Sequence, residues 1–137
     1  MRSVSNRAQQ RGQIRTLLGR LCRFHLWEPN RFGINKALPF NEAILEHGQG
    51  NIRRAYTYKA LNKLIQGSAA DMTKKSMLEL YKECIIAHIQ IHDELDISVE
   101  SDKKAKRKIE IMEAAVDLEV PNKVDYESGK TWGDIYD

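Results

Sequence analysis

A chain of 137 residues with 42% hydrophobic and 30% charged residues has the composition of an ordinary soluble domain, which excludes fibrous and disordered classes. No apolar run approaches the roughly 20 residues that a membrane helix needs, so no membrane partner is expected. The two cysteines, Cys22 and Cys84, lie far apart, which favours a reduced, cytoplasmic protein over a disulfide scaffold.

The net charge of +3 conceals two halves of opposite sign. Residues 1–75 carry 14 Lys or Arg against 4 acidic residues, a net of +10, whereas residues 76–137 carry 8 against 15, a net of −7. A basic half suits contact with nucleic-acid phosphates, because counterion release drives such binding. The acidic half suits metal binding. The alternative is that charge runs are solvated faces, which is the favoured interpretation for Lys103 to Lys108.

Residues 1–51 are predicted to form a basic extended or loop segment. A short helix is expected near Asn6 to Gln13. Leu26 to Asn51 holds two of the three prolines and several glycines, which predicts a long loop with one helical turn at Asn41 to His47.

A long helix is predicted from about Ile52 to Glu83. At about 100° per residue, one stripe holds Leu61, Ile65, Ser68, Met72 and Ser76, and a second holds Asn62, Gln66 and Thr73. Gly67 to Ala70 thins the middle of this helix, where another backbone could approach closely.

The segment Ile85 to Glu100 alternates apolar and polar residues on both sides of a short polar break, which predicts a β-hairpin with one buried face. Its tip is predicted at His92, Asp93 and Glu94. Two adjacent carboxylates repel each other and suit a hard divalent cation, although Asp is also common in plain polar turns.

A helix is predicted from about Asp102 to Asp117, with Ser101 as its cap, followed by a short strand at Val124 to Glu127. The order helix, hairpin, helix, strand predicts an α+β fold for residues 52–137.

Four segments together carry a family resemblance. His92-Asp93-Glu94 between two apolar strands resembles motif C of the family A DNA polymerases, and Leu61 to Lys75 resembles the helix that precedes that motif. Thr16-Leu-Leu-Gly-Arg is similar to the Thr-Leu-x-Gly-Arg segment that follows the fingers, and Ser128 to Tyr136 is similar to the Gly-x-x-Trp ending. The order of the segments also fits. The resemblance implies a C-terminal palm segment of a bacterial or, more specifically, phage enzyme, with residues 52–137 as the palm part.

The resemblance implies a role for each residue of the tip. Nucleotidyl transfer in this family uses two Mg²⁺ ions roughly 4 Å apart. Asp93 is then the motif C metal ligand, Glu94 the carboxylate that supports it, and His92 a contact to the primer end.

The resemblance also implies contacts to primer-template DNA. Asn62, Gln66 and Gln90 match residues that hydrogen-bond in the minor groove, whose acceptors are common to every base pair. Arg20 and Arg23 become candidates for phosphate contacts. The alternative for all five is a plain exposed polar residue. Tyr58 departs from the family, many of whose bacterial members have Arg there.

Two family elements are missing from this sequence. The second catalytic aspartate, from motif A, has no counterpart, because no aspartate precedes Asp71. The motif B helix that grips the deoxynucleoside triphosphate is also absent. We therefore expect half of the two-metal site here, and another polypeptide that carries motifs A and B. The alternatives are a non-catalytic DNA-binding remnant and, less well matched, an unrelated small metal-binding module.

Overall fold

The computed structural model describes residues 2–135, with the side chains of residues 3–134, and forms two compact units, Met1–Asp71 and Met72–Asp137. This division falls after the first half of the long helix, whereas the predicted functional boundary lay between residues 51 and 52. Tyr136, the end of the tail that resembles the family, lies outside the described residues. None of the helices in this described part is long and apolar enough to cross a membrane.

The first unit begins with α1 (Arg2–Arg11) and an antiparallel hairpin of β1 (Gln13–Arg15) and β2 (Leu21–Arg23). Pairing of Ile14 with Cys22 turns both side chains toward the core, while Arg15 and Arg23 remain exposed. The core of this unit contains Ala8, Ile14, Phe24 and Ala60, with Val4, Cys22 and Leu64 packed against it.

A three-stranded antiparallel sheet follows, in the order β4 (Leu38–Pro39), β3 (Leu26–Pro29), β5 (Ile52–Arg54), with α2 (Phe40–His47) between β4 and β5. The Trp27 ring lies 5.0 Å from the Phe40 ring, and the Arg54 guanidinium lies 4.5 Å from the Trp27 ring. The helical turn predicted near His47 is present, but the prediction of a long loop over residues 26–51 was wrong. The prolines lie at strand ends, where they do not prevent pairing.

The long helix α3 spans Ala60–Lys82. It begins after β5 and a short 3₁₀ turn (Thr57–Lys59), rather than at Ile52. Its buried positions include Ala60, Asp71 and Leu80, whereas Ile65, assigned to the apolar stripe by periodicity, is 59% exposed. The helix was therefore predicted correctly but its buried face was not, because polar and small residues supply part of that face.

The second unit contains the predicted hairpin, β6 (Ile89–Ile91) and β7 (Glu94–Asp96), but in a different register. Ile91 pairs with Glu94 and Ile89 with Asp96, so the connection is His92–Asp93 and Glu94 belongs to the strand. Directly paired residues share a face, which places Ile89 and Ile91 with the acidic side chains. The prediction of a single buried apolar face was wrong, and no hairpin residue from 85 to 100 is fully buried.

The helix α4 (Asp102–Glu113) follows, and Ser101 caps it by accepting a hydrogen bond from the backbone N–H of Lys104. It ends before the predicted Asp117. Within residues 2–135, no strand follows β7, so the strand predicted at Val124 to Glu127 is absent. The backbone N–H of Val124 donates to the Glu113 carboxylate instead of to a neighbouring strand. The α+β class is confirmed.

Candidate functional site

The tip of the β6–β7 hairpin is a tight connection formed by His92 and Asp93. His92 has φ 50°, in the left-handed region that such turns require. The side-chain amide of Gln90 donates to the His92 carbonyl oxygen at 2.8 Å, which fixes the turn from within its own strand. Gln90, His92 and Asp93 are all exposed, so the structure brings these three predicted site residues together on an accessible tip.

Asp93 and Glu94 present two successive carboxylates, both exposed, one in the connection and one in the first position of β7. Magnesium takes one or two carboxylates from a protein and completes its shell with water and substrate phosphates. Across residues 2–135, no group of three or more His, Cys, Asp or Glu side chains is arranged to hold a metal ion. The donor set therefore fits part of a magnesium site and requires ligands from elsewhere.

Asp96 differs from the simple polar-face residue that alternation predicts. It is half-buried, and its Oδ2 is buried without a hydrogen-bond partner. Because Glu94 and Asp96 are two residues apart on β7, they point to the same face. Asp96 pairs with Ile89, so its side chain lies beside that residue on the same face of the hairpin.

Asn62 and Gln66 lie one helical turn apart on α3, in the first unit, and both are exposed. Tyr58, a further turn back, is 70% exposed. The Lys59 ammonium lies 5.6 Å from the centre of the Tyr58 ring. This face therefore offers two amide side chains, an aromatic ring and a cation to an external partner.

Arg20 is held by α3 rather than free. Its Nε donates to Asp71 Oδ1 at 2.8 Å, and its Nη2 donates to the Gly67 carbonyl oxygen at 2.8 Å. The Thr16 hydroxyl accepts from the backbone N–H of Arg20 at 3.0 Å. The Arg20 side chain is still 51% exposed. Phosphate contact there stays a prediction, and it would involve a guanidinium already fixed by Asp71.

Asp71 is almost completely buried, at 6% exposure. Burial raises the pKa of its carboxyl, but hydrogen bonds from Thr16 and Arg20 and the charge of Arg20 outweigh burial and hold the pKa below its ordinary value. The ionised form is therefore the one that this environment selects. Asp71 lies outside the predicted site set, although it is the single aspartate of the basic half.

The small residues Gly67 and Ser68 let the turn of residues 16–20 pack closely against the middle of α3. The Ser68 hydroxyl accepts from the backbone N–H of Leu17 at 3.0 Å and donates to the Leu64 carbonyl oxygen at 2.7 Å. A Cβ at position 67 would lie 2.8 Å from Thr16 Cγ2. The close approach predicted here is thus made by the 16–20 turn.

Arg23 lies on β2, opposite Gln13, and its side chain is exposed. Arg15, on the neighbouring strand, points to the same face because it pairs with Leu21, two residues from Arg23. Arg15 was not among the predicted contacts, although its spacing in a basic segment could have indicated it.

Comparison with known proteins gives a consistent result. The sequence model of the family described as DNA polymerase family A matches residues 1–134. The chain belongs to DNA polymerase family A. It is 38% identical over 127 residues to a DNA-directed DNA polymerase of Pseudomonas phage M6, and 34% identical over 143 aligned positions to DNA polymerase I of Bacillus caldotenax.

A solved structure supports the same assignment of this family A chain. The POL domain of Pol1 from M. smegmatis, in complex with DNA primer-template and dNTP, is similar with a TM-score of 0.67 and 26% identity. That match covers 99% of this chain and 22% of the other. The phage and Bacillus alignments cover 93% and 98% of this chain, but only 16% and 14% of those relatives. The chain therefore spans a small part of the length of its relatives.

Proposed function

We propose that this chain is the motif C segment of a DNA-templated DNA polymerase and supplies half of a two-metal nucleotidyl-transfer site. The observation that carries the proposal is the hairpin tip, where Asp93 and Glu94 stand exposed on a turn that His92 and Gln90 fix. Family membership supports this assignment, because His92-Asp93-Glu94 alone would suit many polar turns.

Asp93 is the metal ligand in this proposal, and Glu94 is the neighbouring carboxylate that keeps the site strongly anionic. When bound, the two Mg²⁺ ions supply charge stabilisation at the attacking and leaving oxygens. The left-handed turn at His92 holds Asp93 at the end of the hairpin, so its carboxylate can reach a site built largely by other residues. His92 itself is exposed beside Asp93 and would contact the primer end.

Primer-template DNA is the proposed macromolecular ligand. Asn62 and Gln66 would donate amide hydrogens to minor-groove acceptors, which are present whatever the base pair. Gln90 would do so only while sharing or releasing the hydrogen bond that its amide gives to the His92 carbonyl. Arg23 would contact phosphate from the exposed face of β2.

The site needs partners that provide what these residues lack. A second aspartate from motif A and the nucleotide grip of motif B would complete the binding of Mg²⁺ and of the deoxynucleoside triphosphates. We propose that a polypeptide segment with both motifs joins the hairpin, whether on the same chain or on another.

Primer extension tests the proposal. The chain is mixed with a family A fragment that carries motifs A and B, on a primed template with Mg²⁺ and all four deoxynucleotides. Metal stabilisation of the transition state is worth several kcal/mol, so Asp93→Asn should slow extension by about 100-fold or more. Asp125→Asn, at an exposed position outside the hairpin segment of residues 85–100, is the matched control and should extend normally.

Duplex binding separates a catalytic from a folding role. The Asp93→Asn variant should bind primer-template within about twofold of the unchanged chain. The substitution removes a carboxylate and leaves every positively charged side chain in place. Equal loss of binding and extension would instead assign Asp93 to folding.

A second candidate, a non-catalytic DNA-binding remnant, is favoured by the strongly basic residues 1–75. It predicts salt-sensitive duplex binding with no extension in any mixture. Extension in the mixture excludes it.

A further inference from the structure

The structure points to a second nucleic-acid contact, and we propose that the loop of residues 30–37 binds unpaired DNA by stacking. This loop joins β3 to β4 and is named here the 30–37 loop. The inference goes beyond the proposed function, since it requires neither catalysis nor a metal ion.

The tip of the 30–37 loop presents its apolar side chains wholly to solvent. The side chains of Phe32 and Ile34 are both fully exposed. Scattered exposed hydrophobic residues are normal on protein surfaces. Here, however, an aromatic and a branched side chain stand two residues apart at full exposure, between two cations, Arg31 and Lys36.

Side-chain hydrogen bonds bridge the backbone of the loop on both sides of Phe32. The Asn35 side-chain amide donates to the carbonyl oxygens of Arg31 and Gly33, at 3.2 Å each. The Arg31 Nε donates weakly to Asn35 Oδ1 at 3.4 Å. Gly33 has φ 127°, a conformation that L side chains rarely adopt. These hydrogen bonds restrain the backbone next to Phe32, which lowers the entropy that binding would cost.

The base of the loop is anchored in the sheet. The backbone N–H of Asn30 donates to the Asn51 carbonyl oxygen at 2.6 Å, and Trp27 packs on Phe40. Arg53 Nε lies 2.8 Å from the carboxylate of Glu28, so that acid next to the loop is neutralised by a pair. The anchored base and exposed tip make this loop a projection that can reach an extended ligand.

Charge decides which ligand the loop suits. An aromatic ring between cations matches a single strand, whose bases stack on aromatic faces while its phosphates meet Arg and Lys. A base paired within a duplex has both faces covered, so only unpaired nucleotides could stack on Phe32. A primed template offers such unpaired nucleotides beyond the end of its primer.

The test is fluorescence anisotropy of the whole 137-residue chain with labelled oligo(dT) and with a duplex of equal length, without Mg²⁺ or nucleotide. Phe32→Ala should weaken oligo(dT) binding by about fivefold or more, with duplex binding unchanged. Phe32→Trp should retain binding, because it keeps a stacking face. Leu45→Ala is the matched control, since Leu45 is 87% exposed on α2, and should bind like the unchanged chain.

Salt dependence distinguishes stacking from charge. The double substitution of Arg31 and Lys36 to Ala should reduce the slope of log affinity against log salt by about 1.4, at about 0.7 per cation for a single strand. Phe32→Ala should leave the slope unchanged. Equal affinity of Phe32→Ala and unchanged chain for oligo(dT), or equal loss on both DNAs, would overturn the proposal. So would an effect of Phe32→Ala on self-association alone, measured by sedimentation, since the loop would then contact a second copy.

Discussion

Gly67 provides a direct test of how closely the 16–20 turn packs on α3. Alanine would gain about 1 kcal/mol in helix propensity. Its Cβ, however, would meet Thr16 Cγ2 at 2.8 Å, and buried Thr16 is held in place through its hydroxyl. Overpacking of this kind costs about 1–3 kcal/mol. We therefore expect Gly67→Ala to lower the free energy of unfolding, by up to about 2 kcal/mol, in urea denaturation.

Gly50→Ala is the matched control for that experiment. No heavy atom lies within 4 Å of the Cβ position there, and the residue is not among the glycines with positive φ. Its effect should be neutral or slightly stabilising, because alanine reduces the entropy of the unfolded chain. Equal unfolding free energies for the two variants would contradict the close packing at Gly67.

Asp71 makes the stability of the first unit depend on pH. Its folded pKa is lowered below the ordinary 3.8, so its stabilising effect is present above that value and is lost as the pH falls through the folded pKa. Asp71→Asn should lower the free energy of unfolding at pH 7 by about 1–2 kcal/mol. This is the lower part of the usual range for a hydrogen bond to a charged group, because the Arg20 side chain is half-exposed and water screens its charge.

The measurement is urea denaturation at pH 7 and at about pH 3. The difference between the unchanged chain and the Asn variant should shrink at the acidic pH, since the carboxylate then becomes protonated in part. Asp93→Asn, at an exposed position, is the control and should leave the free energy of unfolding unchanged at both pH values. A difference that stays constant between the two pH values would show that the carboxylate charge is not the source of the stability.

At the scale of elements, local patterns in the sequence predicted the helices and strands that depend on neighbouring residues. Alternation located β6 and β7, periodicity predicted α3, and Ser101 marked the start of α4. The hairpin register was not predictable in the same way. A connection of His92–Asp93 instead of His92–Glu94 is a change of one residue, and it reverses which side chains share a face.

Contacts between distant residues account for the other differences. Glu28 and Arg53 join β3 to β5, and Arg20 joins Asp71 across 51 positions. Neither pairing leaves a periodic pattern in the sequence. Residues 26–51 were therefore predicted as a loop, β5 was predicted as the start of the long helix, and Asp71 was not recognised as a partner. The candidate tip was nevertheless predictable, because its residues are adjacent in sequence and match a known motif.

At the scale of the whole molecule, the second unit leaves much apolar surface uncovered. Among its described residues, Leu78, Tyr81, Ile86 and Val120 are 48%, 66%, 63% and 67% exposed. The β6–β7 sheet has two strands, so its outer edges are unpaired within residues 2–135. A two-stranded sheet is marginal in water, and open edges favour association. This unit would therefore be stabilised by a neighbouring strand that covers this surface.

The last prediction concerns that missing neighbour. The chain alone should bind an environment-sensitive apolar dye, and a polypeptide with the motif A strand should reduce the dye signal, because it would cover exposed apolar side chains. A motif A polypeptide with the same composition in scrambled order is the control and should leave the signal unchanged. Asp93→Asn should respond like the unchanged chain, since it alters the proposed metal ligand and no apolar contact. If intact and scrambled polypeptides reduce the signal equally, or neither does, the apolar surface is not a motif A site and the complemented active site loses its structural basis.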